Sequence, residues 1–271
     1  MLKWHWPTPN GLPPLPVTVS IAATIALLFL SASTVEVSFQ RVIDGWQPLL
    51  DFFASMMIAP DWSYLPQLGE KMLETVEMTA LGTAIALVIS LPVGILAAEN
   101  TSPHPFVFRL MRELLSFTRA LPELVWALVF VSAVGLGPLP GVMALAFVTV
   151  GFMAKFFAES IEVVGRHSIE GVHATGGGRL QTIMFAVMPQ ALPDFAGTLL
   201  YILDHNLRAA SILGLVGAGG IGYDMVIAMR MFEYDRIFMI AFSIYLIVTI
   251  LDRISDMLRD RIIHGRVDVF R

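Results

Sequence analysis

The sequence predicts an all-α, polytopic helical membrane protein with about six transmembrane spans. Of its 271 residues, 56% are hydrophobic and only 14% are charged, and its mean hydropathy is +0.73. Soluble domains average about 45–50% apolar and about 25% charged residues. The apolar residues here gather into runs close to the roughly 20 residues that cross a bilayer. Lipid rather than water is therefore expected to surround most of the chain.

The first span is predicted over residues 17–35. It follows a tail, 1–16, that is rich in proline and carries Trp4 and Trp6, which suit the depth of the lipid headgroups. Residues 36–71 mix acids, aromatics and prolines, so they are expected outside the membrane, partly as an interfacial helix. The remaining predicted spans cover 75–98, 114–135, 142–164, 190–203 or 190–213, and 237–251.

The distribution of Lys and Arg predicts the orientation, because short loops that stay in the cytoplasm carry an excess of these residues. With the N-terminus inside, the loop 99–113, the segment 165–185 and the C-terminal tail all lie inside, and both termini are cytoplasmic. The inner arginines are Arg109, Arg112, Arg166, Arg179, Arg253, Arg259, Arg261, Arg266 and Arg271. The outer 36–71 loop carries only Arg41 and Lys71, whereas Arg208, Arg230 and Arg236 fall on the outer side and weaken the rule.

Several functional classes are disfavoured by what the sequence lacks. The chain has no cysteine, so thiol chemistry, disulfides and Cys-based metal sites are excluded. Its six histidines are scattered without an H-E-x-x-H pattern, so no metal site is expected. No G-x-S-x-G or Walker motif is present, so no catalytic residue and no ATP hydrolysis by this chain are expected. No basic face points to nucleic acid.

The most polar internal stretch is 166–193, RHSIEGVHATGGGRLQTIMFAVMPQALP. Leu180, Ile183 and Met184 recur at i, i+3 and i+4, which predicts a short amphipathic helix after the glycines. Pro189 suits the first turn of the following helix, where a backbone N–H is not needed. The stretch is therefore predicted to form a helix, a glycine turn, a second helix and a re-entry into the membrane.

The spacing within this stretch resembles the EAA loop of ABC-importer permeases. Glu170, Gly176 and Pro189 match that pattern, whereas Gly171 and Val172 replace its two alanines, and Ala186 and Met188 replace its Ile and Leu. In that family the loop is a coupling helix that docks on the ATPase subunit. The resemblance implies an ATPase-coupling segment over 166–185 and the coupling residues Glu170, Gly176, Gly177, Arg179, Leu180 and Pro189.

Three stretches are similar to the phosphonate-type permeases of ABC importers: 119–142, 174–193 and 207–222. The resemblance implies the type I permease fold in a bacterial inner membrane. It also implies a second permease copy (identical or pseudo-twofold), a cytoplasmic ABC ATPase dimer and an extracytoplasmic phosphonate-binding protein. ATP and Mg would be held by the ATPase, with no cofactor on this chain. Methionine-type permeases share the glycine-rich ending but match 119–142 less well.

The predicted spans and the resemblance divide the chain into four regions. An N-terminal interfacial tail, 1–16, precedes the first span with its extracytoplasmic loop, 17–71. The permease core spans 72–258, and a cytoplasmic tail, 259–271, ends the chain.

Polar residues within the spans are candidates for a substrate pathway, because charges inside a membrane usually face a bundle interior or a water-filled cavity. Glu123 either lines such a pathway or pairs with Arg119 one turn earlier. Asp204 and Arg208 stand at i, i+4, so Arg208 either offers its donors to an oxyanion or is neutralised by Asp204. The candidate pathway residues are Arg119, Glu123, Asn206, Arg208 and Ser211.

Lys155 and Glu159 stand at i, i+4 in the fourth predicted span, and an ion pair between them is expected. The run GLVGAGGIG at 214–222 contains no GK[ST] and is not a nucleotide loop. It is either a gate or dimer interface, where glycines permit close backbone approach, or a plain extracytoplasmic turn. The glycines of this gate prediction are Gly214, Gly217, Gly219, Gly220 and Gly222.

Two rival functions from other classes remain at this stage. An ion-coupled secondary transporter would use Glu123, Glu159 and Asp194 as proton carriers, although no inverted internal repeat supports it. An intramembrane enzyme is disfavoured by the missing catalytic motifs.

Overall fold

The computed structural model describes residues 14–34, 38–56 and 61–264, with side chains described up to 258. Of the described residues, 87% are helical and none lies in a strand. Two compact units are present, residues 1–55 and residues 56–271. The described part of the first unit consists of helices α1 (Leu15–Thr34), α2 (Phe39–Asp44) and most of α3 (Trp46–Met56).

In the second unit, a 3₁₀ turn (Trp62–Tyr64) leads into the first long helix, and a π-helical turn (Ile183–Val187) joins α9 to α10. Its helices are α4 (Leu65–Ala97), α5 (Pro105–Thr118), α6 (Glu123–Val134), α7 (Pro138–Glu162), α8 (Arg166–Ala174), α9 (Arg179–Thr182), α10 (Met188–Leu213), α11 (Ile221–Met231) and α12 (Tyr234–His264).

Five helical segments among the described residues are long and apolar enough to cross a membrane, or six if α5 and α6 together form one bent span. These segments are Leu15–Thr34, Trp62–Ala97, Pro138–Glu162, Arg179–Val216 and Tyr234–Leu258. The all-α, polytopic fold class is thus confirmed.

The third predicted span is wrong as a single helix. The run 114–135 is divided between α5 and α6, which meet at an angle of 84°. Pro122 stands just before α6 with φ −59° and ψ 152°, and proline disfavours the helical conformation in the residue before it. The predicted basic loop 99–113 is also helical from Pro105 onward.

Other boundaries differ because helices extend beyond their apolar runs. Helix α4 begins ten residues before the predicted second span, the fifth span begins at Arg179 rather than at 190, and the sixth lies within a helix that reaches His264. Helix α11 was not predicted. The predicted headgroup role of Trp4 and Trp6 and the last residues of the tail, 265–271, lie outside the described residues.

Helix α7 forms the centre of the core, with two-thirds of its apolar window buried, and it packs against α4, α5, α6 and α10. Small residues bring α4 and α7 together. A Cβ at Gly82 would lie 3.0 Å from the Leu145 Cβ, and one at Gly94 would lie 2.9 Å from the Phe157 Cβ. Such close approach favours association of helices in membranes, where burial from water provides no driving force.

Candidate functional site

A cavity of about 110 Å³ lies between α6, α7 and α10. Glu123, the first residue of α6, places its Oε1 3.2 Å from Nε2 of His205 on α10. The ring of Tyr201 stacks on the His205 ring at a centroid distance of 6.5 Å. Glu123 therefore does form a polar pair, but its partner is His205 and not Arg119. The other lining residues are Leu145, Val148, Thr149, Phe152, Phe156, Ile202 and Asn206.

Asn206 lines this cavity, but its side-chain amide is hydrogen-bonded to other residues of the protein. Its side chain accepts a hydrogen bond from Thr149 Oγ1 on α7 at 3.0 Å and donates one to Thr83 Oγ1 on α4 at 2.9 Å. The residue is only 3% exposed. The amide therefore joins three helices, and its predicted contact with an oxyanion would require breaking these bonds.

Arg208 is paired with Asp204, as one of the two alternatives predicted. The guanidinium donates to both carboxylate oxygens of Asp204, one of them at 3.2 Å. Asp252 of α12 lies 3.9 Å from the same guanidinium. Ser211 donates its hydroxyl to the Leu207 carbonyl at 3.1 Å. Neither Arg208 nor Ser211 lines the cavity, so their pathway role remains a prediction without a site to support it.

A second cavity, of about 170 Å³, opens between the end of α4, helix α5 and helix α7. It is called here the cation pocket, because Arg112, Arg119 and Lys155 line it together with Ser116. Arg112 pairs with Glu162 at 2.8 Å, and Lys155 pairs with Glu159 at 3.5 Å, which confirms the predicted i, i+4 pair. The remaining lining residues are Ala97, Leu115 and Ala158.

The glycine run 214–222 is packed within the chain and is not a plain turn. The Gly220 amide donates to Glu74 Oε1 at 3.0 Å, and the Ile221 amide donates to Thr75 Oγ1 at 2.8 Å, so both bonds attach the run to α4. A third bond joins Gly137 N–H to the Gly217 carbonyl at 3.0 Å.

Glycine is required within this run by backbone conformation and by close packing. Gly217, Gly219 and Gly220 have φ between 72° and 80°, a region that side chains disfavour. A Cβ on Gly214 would lie 2.2 Å from the Tyr223 amide nitrogen, and one on Gly222 would lie 2.1 Å from the Ser211 carbonyl oxygen. The role of these glycines as a gate or dimer interface stays a prediction.

The polar stretch forms the predicted helix, glycine turn and helix. Helix α8 ends at Ala174, and Gly176 follows with φ 82°. The Gly177 amide donates to the Val172 carbonyl at 3.1 Å and the Gly176 amide to the His173 carbonyl at 2.9 Å. These two bonds constitute a Schellman motif, in which the left-handed position favours glycine. The position that matches the EAA pattern is therefore the one at which the backbone requires glycine.

Arg179 links this turn by hydrogen bonds to the segment that follows α4. Its guanidinium donates to the Thr101 carbonyl at 2.7 Å and also to the Ser102 carbonyl. Glu170 and Leu180, in contrast, have side chains that are about 70% exposed. Pro189 lies in the first turn of α10, as predicted. The exposed residues are thus available to a partner, whereas Arg179 is engaged within the chain.

Residues 90–264 match the family model described as "Binding-protein-dependent transport system inner membrane component". The chain belongs to this family.

Two relatives are of similar length. The phosphite transport system permease protein PtxC of Stutzerimonas stutzeri is 41% identical over 212 residues, which cover 78% of this chain and 77% of that protein. The putative phosphite transport system permease protein HtxC of the same organism is 34% identical over 246 residues, covering 91% and 87%. The resemblance to phosphonate-type ABC importer permeases is thereby confirmed.

Among solved structures, the methionine ABC transporter MetNI in an inward-facing conformation matches with a TM-score of 0.65. The match covers 74% of this chain and 99% of that chain at 20% identity, so it bears on the fold alone. It confirms the type I permease fold. The chain is a multi-pass permease subunit of an ABC importer and not an enzyme. Membership of the family implies ATPase and binding-protein partners, which sets aside the ion-coupled secondary transporter.

Among the polar contacts that sequence reasoning missed are His205 as the partner of Glu123, Thr149 as a partner of Asn206, and Glu74 as an acceptor for the glycine run. No signal in one sequence connects these residues, because each pair is separated by more than fifty positions in the chain.

Proposed function

We propose that this permease moves phosphite, a phosphonate or a related phosphorus oxyanion into a bacterial cell across the inner membrane. The observation that supports this cargo is the 41% identity to a phosphite permease over 78% of the chain. In the proposed complex, two permease copies, identical or pseudo-twofold, stand on a cytoplasmic ATPase dimer that holds ATP and Mg. A phosphonate-type binding protein delivers cargo from outside, and this chain binds no cofactor.

The segment 166–185 is the proposed ATPase contact, and we infer from it that this end of the core and both termini lie in the cytoplasm. Glu170, whose carboxylate lies 3.8 Å from the ring of the exposed His167, and Leu180 both face outward, and Phe185 is also 71% exposed. Exposed apolar residues beside polar ones are typical of protein interaction sites. Because Arg179 holds the segment to the carbonyls of Thr101 and Ser102, movement of the segment is transmitted to the end of α4.

The proposed pathway follows one face of α7. Phe152, Lys155, Phe156 and Glu159 recur at i, i+3, i+4 and i+7, and so share one face of a helix that is otherwise mostly buried. The cavity with Glu123 borders this face through the two phenylalanines, and the cation pocket borders it through Lys155. A charged face on a central membrane helix suits a water-filled path between two permease copies.

The cargo is tested by purifying the chain with its ATPase and binding protein and reconstituting the complex in liposomes. Phosphite, methylphosphonate, hypophosphite, phosphate and methionine are then compared for stimulation of ATP hydrolysis and for uptake. Phosphorus oxyanions are expected to stimulate both. Stimulation by methionine alone would overturn the cargo and favour the methionine-type alternative.

Coupling is tested with two substitutions and a matched control. Glu170→Ala and Gly176→Ala are expected to leave ATP hydrolysis running while uptake falls, because the first removes an exposed contact and the second disfavours the left-handed turn by about 1–2 kcal/mol. Gly171→Ala lies in the same helix with no atom within 4 Å of the added Cβ, so coupling should persist. Normal coupling in both test variants would refute the role of this segment.

A further inference from the structure

Arg119 is the cation in the cation pocket that lacks a carboxylate partner among the described residues. Arg112 is neutralised by Glu162 and Lys155 by Glu159. The Arg119 Nε donates to the Leu115 carbonyl at 3.0 Å, and its guanidinium carbon lies 5.7 Å from the centre of the Phe152 ring. Neither contact neutralises the charge. The two terminal amino groups of the guanidinium are left without a hydrogen bond to the described residues.

An uncompensated arginine within a membrane span is expensive, so such residues usually serve an ion or substrate path. The end of α5 accounts for part of the stability of Arg119, because a cation is favoured near a helix C-terminus. That interaction uses the Nε and leaves the planar fork of donors unused. A tetrahedral oxyanion accepts two parallel hydrogen bonds from such a fork, which is the strongest form of arginine recognition.

The pocket also lies toward the coupling end of the path. Lys155 and Ala158 lie within the last two turns of α7, the helix that leads to α8, and Ala97 is the last residue of α4. The cavity with Glu123 and His205, by contrast, borders α7 between Leu145 and Phe156. The Phe152 ring lines that cavity and also lies beneath the Arg119 guanidinium. One aromatic side chain therefore stands between the two cavities.

We propose that the cation pocket is an anion-binding station on the cytoplasmic side of the transport path, at which Arg119 holds a tetrahedral phosphorus oxyanion before release. This inference rests on the proposed function. Ser116 and Lys155 border the bound anion, and Phe152 separates it from the cavity with Glu123. A single unpaired guanidinium can bind the transported anion and still release it, whereas a full cage of donors would retain it.

The absence of cysteine in the chain permits a direct test with Ser116→Cys, which places a single thiol of this chain in the pocket. The purified complex is treated with an anionic thiosulfonate reagent, and modification of Cys in this chain is followed by peptide mass spectrometry. Arg119 should speed the reaction by attracting the anion, and added phosphite should slow it. Arg109→Cys, on the exposed part of the same helix, should show neither effect.

Arg119→Gln in the Ser116→Cys background should abolish the acceleration and raise the phosphite concentration for half-protection about 10- to 100-fold, the range expected for loss of charge-assisted hydrogen bonds. Arg119→Lys should restore the acceleration but only part of the protection, since lysine retains the charge without the fork. Arg109→Gln is the matched control and should leave both unchanged. A purely capping role predicts lower thermal stability of Arg119→Gln with unchanged protection.

The outcomes separate the two proposals. If the wild-type complex transports phosphite but phosphite never protects the thiol, or protects it equally in Arg119→Gln, the anion station is refuted and the cargo stands. If no phosphorus oxyanion is transported by the wild-type complex, the proposed function is refuted, and the anion station that rests on it is refuted as well.

Discussion

Replacement of Asn206 by alanine separates the two roles considered for this residue, because its amide joins α4, α7 and α10. The substitution removes one hydrogen bond to Thr149 and one to Thr83. Hydrogen bonds contribute about 0.5–1.5 kcal/mol each in soluble proteins and average about 0.6 kcal/mol in a membrane protein. The two threonine hydroxyls can turn to carbonyls of their own helices. The expected loss of stability is therefore about 1–2 kcal/mol.

Thermal melting of the purified complex in detergent measures this loss. For a domain of this size about 1 kcal/mol corresponds to about 2–4 °C, so Asn206→Ala should melt about 2–8 °C below wild type. Thr83→Val and Thr149→Val should each lose at least as much, about 1–3 kcal/mol, because each leaves one polar atom of the buried Asn206 amide without a partner. In the Thr149→Val background, Asn206→Ala should cost less than it does alone, because one of its two bonds is already absent.

A transport assay can contradict the structural role of Asn206. If Asn206→Ala melts like wild type but no longer transports phosphite, the amide acts on cargo and does not hold the helices together. The cross-helix bonds would then be incidental, and the sequence-based prediction of oxyanion contact at Asn206 would stand.

Three further predictions follow from single contacts. Gly222→Ala should prevent stable folding of the chain, because the added Cβ would lie 2.1 Å from a backbone oxygen. Gly197→Ala, with open space around the added Cβ, should instead raise the melting temperature. Glu74→Gln should weaken the attachment of the glycine run to α4, measured as faster amide hydrogen exchange at Gly220, because the bond that this amide donates loses the charge of its acceptor. Hydrogen bonds from Ser63 and then Arg236 lower the pKa of Asp61 in the folded state. The stability that this carboxylate contributes is present above its unfolded-state pKa and should be lost as the pH falls through its folded-state pKa. Asp61→Asn should remove this pH dependence of the melting temperature.

Hydropathy predicted the location of the membrane helices but not their shape. The run 114–135 is apolar on both sides of Pro122, so a hydropathy profile cannot reveal that α5 and α6 meet at 84°. Pro122 disfavours helix in the residue before it, but the angle depends on the packing of both helices against α7. The early start of α4 has a similar cause. Lys71 and Glu74 neutralise each other at 2.6 Å, which permits a helix where the sequence indicates a polar loop.

The helix, glycine turn and helix of segment 166–185 could be predicted because this structure is local. Gly176 ends α8 in a Schellman motif that depends only on residues within five positions. The polar pairs of the cavities are not local. Sequence spacing connects residues three or four apart on one helix, which is why Arg119 was one of the two alternatives considered for Glu123. The true partner, His205, is 82 positions away, and only the packing of α6 against α10 brings it within reach.

The bend between α5 and α6 also explains why Arg119 and Glu123 serve different cavities. On a straight helix these residues would stand at i, i+4 and neutralise each other. Because the chain turns at Pro122, Glu123 begins α6 and meets His205, while Arg119 directly follows the last residue of α5 and remains in the cation pocket. An acid and a base that a regular helix would have paired are thus separated along the face of α7. That separation leaves one cation available for an anion, and it follows directly from a helix break in a span that hydropathy represents as continuous.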